Sequence, residues 1–298
     1  MRRAALLGVA TMVLLAGTGC SQTPPSSEHG TANVVASTGV WASVAAAVAG
    51  PHATVRSLVP RGVDPATFTP DDTAVREVAD ASLVVYNGGR YDAWLDPILE
   101  KSHDIPTIQA RTLAPFQPPP DDHVFYDLIA AKAVADHIAD SLGGSDAQHA
   151  DDYTAAADQF DEDLDTLALA QHAIGQAHPG ASVVSTTPAA FYAVRNAGIA
   201  DKTPPAFSAA VAAGAAPSPA DVAAVVDLIR SRRVSALVVD AQPPGGAQRG
   251  AIDAVTAAAR AAALPIAAVT TAPADGVSYL QWQRDTVDQI ATAFNRPS

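Results

Sequence analysis

The sequence predicts an α/β protein of two lobes with mostly parallel sheets, joined by a long connecting helix, with a ligand cleft between the lobes. Three observations carry this. Short apolar runs alternate with helical stretches in the first and last thirds of the chain, the pattern of strand–helix–strand units and hence of parallel sheets. The middle, from about Val124 to Ala177, has no proline and only three glycines, Gly143, Gly144 and Gly175, so it reads as helix. In parallel sheets ligands gather at the carboxyl ends of the strands, and two such sheets should face a shared cleft.

The elements follow in order. Residues 34–37 form a short apolar run, and 40–48 continue with helix-forming alanines. Residues 55–59 alternate as a strand that stops at Pro60, and 73–81 fit a helix. Leu83-Val84-Val85-Tyr86 is a continuous strand run ended by the turn Asn87-Gly88-Gly89. Residues 94–99 are helical with Pro97 near the start, 105–110 form a weaker strand, and 111–120 are a proline-rich connection. Two helices fit the middle, divided at Gly143-Gly144. The second, 146–174, spans about 45 Å at 1.5 Å per residue and is too long and too acidic for a crossover helix, which makes it the connector. The alternation then resumes with a strand at 182–185 and a helix over 189–197. Another helix, introduced by Pro217-Ser218-Pro219 with Ser218 as N-cap, runs to about Arg230. A buried strand at 236–239 ends at Asp240, and a helix over 251–263, a strand at 266–269 and a helix over 281–294 close the chain.

The chain begins Met1-Arg2-Arg3, runs apolar to Leu15, and places Ala16-Gly17-Thr18-Gly19 directly before Cys20. This is a signal peptide over 1–20 with a lipobox-like end, and its apolar run is shorter than the ~20 residues a membrane-spanning helix needs. Cys20 is the only cysteine. Its place after a small-residue turn suits lipidation, a palmitate-bearing diacylglyceryl anchor that holds the protein on the extracytoplasmic face of the cell membrane; ordinary secretion with cleavage nearby is the alternative. Residues 21–32, rich in Ser and Pro, form a flexible tether. The expected division is then an N-terminal lobe over 33–144, the connecting helix over 145–178 and a C-terminal lobe over 179–298.

With 18 Lys and Arg against 31 Asp and Glu, the formal charge is −13, and −15 once Arg2 and Arg3 leave with the signal peptide. Such a surface disfavours nucleic acid and anionic membrane surfaces as partners. There is no Gly-x-Ser-x-Gly elbow, no His-Glu-x-x-His pair and no phosphate-cradling glycine loop. Neither an enzymatic activity nor a catalytic cofactor is expected.

Several stretches, taken together and in order, carry a resemblance. They are Val34-Val35-Ala36-Ser37 with Trp41; Ser57-Leu58-Val59-Pro60 leading to Val63-Asp64-Pro65; Ala79-Asp80-Ala81-Ser82-Leu83-Val84-Val85-Tyr86-Asn87-Gly88; Asp122-His123-Val124-Phe125-Tyr126-Asp127; Thr203-Pro204-Pro205-Ala206-Phe207 with Pro217-Ser218-Pro219-Ala220-Asp221; and Tyr279 with Trp282. The chain resembles the zinc/manganese-type solute-binding lipoproteins of metal ABC importers, the cluster A-I type. The resemblance implies an ABC permease as membrane partner and Zn or Mn, as the ion or a small metal complex, as transported ligand. It also implies about four metal-holding side chains between the lobes. The first follows Asp-Pro and here is Ala66. The second precedes Val-aromatic-aromatic and is His123. The third and fourth fall on Thr187 and Thr271, so one ligand position of four keeps its donor.

The histidine census agrees. His29, His52, His103, His123, His137, His149, His172 and His178 all precede the C-terminal lobe, which has no Glu or Cys either. Transition metals held tightly want imidazole, thiolate or carboxylate donors. His123 is either a metal ligand or a cleft histidine packed at a helix start. Asp64 is either a turn former or a ligand, and Asp240, at a strand end, either begins a loop or substitutes as a ligand. The metal candidates are therefore His123, Asp64 and Asp240. Two functions stay open: a metal-importer solute-binding lipoprotein with weakened or altered metal binding, and the same scaffold without metal binding, taking another solute or docking a partner.

Overall fold

The computed structural model describes residues 31–102, 104–115, 122–241 and 246–295. Cys20, the signal peptide and all but the end of the tether lie outside the described residues. No helix among the described residues is long and apolar enough to cross a membrane.

The first sheet is built from β1 (Ala32–Ala36), β2 (Ala53–Ser57), β3 (Leu83–Tyr86) and β4 (Thr107–Gln109), all parallel, in the order β2-β1-β3-β4. Parallel neighbours require crossovers. These are α1 (Gly39–Ala49), α2 (Asp72–Ala79) and α3 (Asp96–Leu99), with α4 (Ala110–Leu113) after the last strand. Asp71 fixes the start of α2, its carboxylate accepting from the N–H groups of Thr73 and Ala74. The expected helix over 94–99 divides into a 3-10 turn, Ala93–Leu95, and the single α turn of α3.

The second sheet repeats the topology. Strands β5 (Ser182–Ser185), β6 (Ala200–Asp201), β7 (Ala236–Asp240) and β8 (Ile266–Val269) are all parallel in the order β6-β5-β7-β8. Its helices are α7 (Phe191–Asn196), α8 (Pro205–Ala212), α9 (Pro219–Arg230), α10 (Arg249–Ala261) and α11 (Tyr279–Asn295). Ser218 caps α9 through a full capping box with Asp221. Strand β6 and helix α8 have no marker in the sequence: the strand is two residues long, and the Ala-rich stretch after Pro205 carries no polar face.

Between the sheets lie α5 (Leu128–Ser145) and α6 (Ala150–Ala177). The helix break is not at Gly143-Gly144, and the connector begins at Ala150, not at 145 or 146. Asp146 ends α5, and its carboxylate joins His149 Nδ1 at 2.7 Å and the Tyr153 hydroxyl at 3.0 Å, which fixes the corner. Gly143 is helical because the fold needs it small: a Cβ there would lie 3.2 Å from Ala150 Cβ, across the α5–α6 contact.

Helix α6 packs against α1 and α5 on one side and against α7 and α11 on the other. One continuous apolar core accordingly joins both lobes, with Trp41, Val85 and Tyr126 in the same cluster as Leu164, Val183, Val238 and Trp282. In both sheets the chain leaves the central strand to one side and returns on the other, so switch points fall at the carboxyl ends of β1 and β3, and of β5 and β7.

Candidate functional site

The strand ends meet around a cavity of about 1710 Å³. Thr38 follows β1, Thr186 and Thr187 follow β5, Asp240 ends β7, and Thr270 and Thr271 follow β8; all line it. Asp64, Ala66 and His123 line it too, so the structure brings the three metal candidates and all three donor-poor positions to one cavity. Among the described residues, however, no three His, Cys, Asp or Glu side chains are grouped so that they could hold a metal ion.

The reasons are local. Asp64 caps a 3-10 turn, Pro65–Thr67, its Oδ1 accepting the Ala66 N–H at 3.0 Å, so the Asp-Pro turn forms with its carboxylate already engaged. His123 precedes another 3-10 turn, Val124–Tyr126, and makes no cap bond there. Its ring stands edge-on to Tyr91 and Phe125, with centroids 5.6 and 5.5 Å away. The neighbouring Asp122 is paired with Arg111 and accepts the Arg90 N–H at 3.1 Å, so it is not a spare ligand. The Thr187 hydroxyl accepts the Ala189 N–H at 3.1 Å, and the Trp282 indole donates to Thr270 Oγ1 at 2.8 Å.

Several cleft residues carried no motif and escaped the sequence reading. The Tyr126 hydroxyl donates to the Thr270 carbonyl, and Arg61 donates to the Pro273 carbonyl at 3.0 Å and pairs with Asp275 at 2.5 Å. Both contacts tie the first lobe to the loop after β8. Tyr91 and Tyr126 are held neutral. Desolvation pushes both phenols far above the ordinary range, and carboxylates add to it: Asp92, Asp64 and Asp240 around Tyr91, and Asp240 near Tyr126.

Beneath the cavity Asn87 accepts from Trp41 Nε1 at 3.2 Å and donates to the Asp122 carbonyl at 2.7 Å. The Asp92 carboxylate receives the N–H groups of Asn87 and Gly88, both at 2.7 Å. Desolvation still raises its pKa to about 6, against the lowering effect of those bonds. The turn signal at Asn87-Gly88-Gly89 was legible in the sequence; the buried carboxylate that holds it was not, because Asp92 reads as an ordinary loop residue.

The family described as zinc-uptake complex component A, periplasmic (ZnuA), matches residues 34–293. The manganese-binding lipoprotein MntA of Halalkalibacterium halodurans is 27% identical over 161 residues, 52% of this chain and 53% of that protein. The chain thus spans about half the length of the curated relatives it matches. Among solved structures, the periplasmic zinc-binding protein TroA from Treponema pallidum aligns with a TM-score of 0.75 at 19% identity, covering 90% of this chain and 100% of that one. FpvC from Pseudomonas aeruginosa in complex with Mn2+ aligns with a TM-score of 0.73 at 19% identity, covering 89% and 98%. At these identities the structural likenesses show the two-lobed fold.

Proposed function

We propose, from the premise that this chain belongs to the ZnuA family of periplasmic zinc-uptake components, that it is an extracytoplasmic solute-binding lipoprotein of a metal-ion ABC importer, whose cleft holds zinc or manganese more weakly than a complete four-ligand site would. The donor set of the cavity carries this reading. Among the described residues His123 is its single imidazole, Ala66 offers no donor, and Thr187 and Thr271 offer neutral hydroxyls. Such groups neither replace the water shell of a divalent cation nor offset its charge. Asp64 and Asp240 are the carboxylates a rescue would draw on, and oxygen donors favour manganese over zinc.

Calorimetric titration of the mature protein with each ion tests the reading. We expect no site tighter than about 1 μM, equivalent to about −8 kcal/mol. A stoichiometric nanomolar zinc site that disappears in His123→Ala would restore a full-affinity importer reading, and one indifferent to that change would place the metal elsewhere. Complete absence of metal binding would favour the second reading, a scaffold for another solute or a docked partner, for which the size of the cavity leaves room.

The partner in transport is an ABC permease, and the lobes, 33–144 and 179–298, lie on either side of the connecting segment 145–178, within which helix α6 begins at Ala150. The anchor is a lipid on Cys20, so Cys20→Ser should release the protein from the membrane fraction. Retention of that variant after a high-salt wash would overturn the lipoprotein assignment.

A further inference from the structure

The N-terminus of α1 opens at the switch point of the first sheet, and Thr38, Gly39 and Val40 all line the cavity. The first N–H groups of a helix have no partner within it. A side chain satisfies some of them at α2 (Asp71), α5 (Asp127) and α9 (Ser218). Thr38 occupies the N-cap of α1 in extended conformation but makes no cap bond, and no acidic residue stands in the first turn. Its own hydroxyl is a second, independent observation. Thr38 is only 4% exposed, and its Oγ1 is buried without a hydrogen-bond partner. A buried hydroxyl left without a hydrogen bond is destabilising, and a ligand that bonds it relieves that penalty.

Unpaired N–H groups, a hydroxyl and the positive end of a helix dipole at one point of a cleft are complementary to an oxyanion. The rest of the cavity has mixed sign. Asp64, Asp240 and His123 suit a cation, while Arg61, paired with Asp275, and Arg90, beside Asp122, place guanidinium groups on the wall. A bare ion would fill a small part of about 1710 Å³. We infer that the cleft receives its divalent cation together with an oxyanion, a carboxylate of a small chelator or a phosphate, bound at the N-terminus of α1 by the N–H groups of Gly39 and Val40 and the Thr38 hydroxyl. This rests on the metal-importer reading and adds the chemical class of the cargo to it.

The test is calorimetric titration of the mature protein with manganese alone, citrate alone, inorganic phosphate alone and preformed manganese–citrate. Manganese–citrate should bind at least about tenfold more tightly than manganese alone. Phosphate binding without citrate binding would identify the oxyanion as a free inorganic one rather than a chelator. Two variants locate the effect. Thr38→Val removes the hydroxyl at nearly constant volume. Gly39→Glu places a tethered carboxylate at the helix start, where a Cβ meets nothing within 4 Å and a negative charge suits the dipole, so the fold is retained. Each should abolish citrate binding and the citrate-dependent gain. Manganese that binds equally with and without citrate overturns the inference and leaves the importer reading intact, as does a gain that survives both variants. Citrate binding that both variants abolish, with manganese inert, keeps the oxyanion site and sinks the metal reading; silence from every titrant sinks both.

Discussion

Strand β3 of the first lobe is followed directly by Asn87, locked by Trp41 and by the buried carboxylate of Asp92. In the second lobe, the turn after β5 is held by hydroxyls: the Ser185 N–H donates to Thr203 Oγ1 at 2.7 Å, and Ser185 Oγ donates to the Thr187 carbonyl at 2.5 Å. The two sheets share strand number, direction and order. Yet the first lobe supplies the cavity with His123, Asp64, Asp122, Arg61 and Arg90, while the second, among the described residues, supplies threonines and the carboxylates Asp240, Asp275 and Asp285 but no imidazole or guanidinium. Strand order follows from apolar periodicity and crossover length, which tolerate many side chains. Ligand chemistry depends on single residues at strand ends, where the backbone places a side chain in the cleft whatever its type.

The strongest way to break this asymmetry is to install the missing donors. Ala66→His, Thr187→Glu and Thr271→Asp together give each lobe charged or imidazole groups at positions that already line the cavity. Manganese or zinc should then bind at least about 1,000-fold more tightly than to the unaltered protein, a change of about 4 kcal/mol, measured by calorimetry. No gain in affinity would mean that the backbone, and not the donor set, limits the site.

How much of this was legible in the sequence follows the same division. Leu83–Tyr86 and Ile266–Val269 stand where their apolar runs and flanking turns put them, and Ser218 caps its helix as its place after Pro217 implies. The connector begins at Ala150, four residues after the expected start at Asp146, because Gly143-Gly144 does not break the helix: contact with Ala150 overrides glycine's propensity there. At the site, His123, Asp64, Asp240 and the donor-poor positions were found through their neighbours in sequence. Asp92, Arg61 and Thr38 were not, since their roles depend on partners 5, 212 or no residues away in any local pattern: a turn amide, the Pro273 carbonyl and an open helix end.

The two helices between the lobes sharpen the comparison further. Near the end of α6 a Cβ on Gly175 would lie 1.8 Å from the Ala197 carbonyl oxygen, so the helix meets second-lobe backbone there with no space to spare. Near the end of α5 a Cβ on Gly144 meets nothing within 4 Å. Gly175→Ala should destabilise the protein by about 3 kcal/mol in urea unfolding, as overpacking against rigid backbone does. Gly144→Ala should be neutral or stabilise by up to about 1 kcal/mol through helix propensity. Equal effects at the two positions would show that α6 is not clamped to the second lobe by this contact.

The smallest effect separates the lobes by pH. Asp92 titrates in the folded protein near pH 6, above the ordinary carboxylate value of 3.8, because burial outweighs its two amide bonds. A raised folded pKa means that the folded state binds the proton more tightly than the unfolded chain. The stability this supplies is present in full below the unfolded pKa and is lost as pH rises through about 6. Between pH 7 and pH 5 it should therefore return about 1 kcal/mol. The hydroxyls that hold the turn after β5 do not titrate in this range, so the second lobe has no counterpart at that turn. Asp92→Asn removes the titration and also turns an amide N–H2 toward one of the two N–H donors, so it should be less stable at pH 7. On going to pH 5 the unaltered protein should gain about 1 kcal/mol more than the variant, read from urea unfolding of both at each pH. Taking the difference between the two proteins removes the shared effect of the −13 charge. Parallel pH profiles would show that the Asn87 turn is held without a proton-sensitive carboxylate, and the first lobe would then be as indifferent to pH at its strand-end turn as the second.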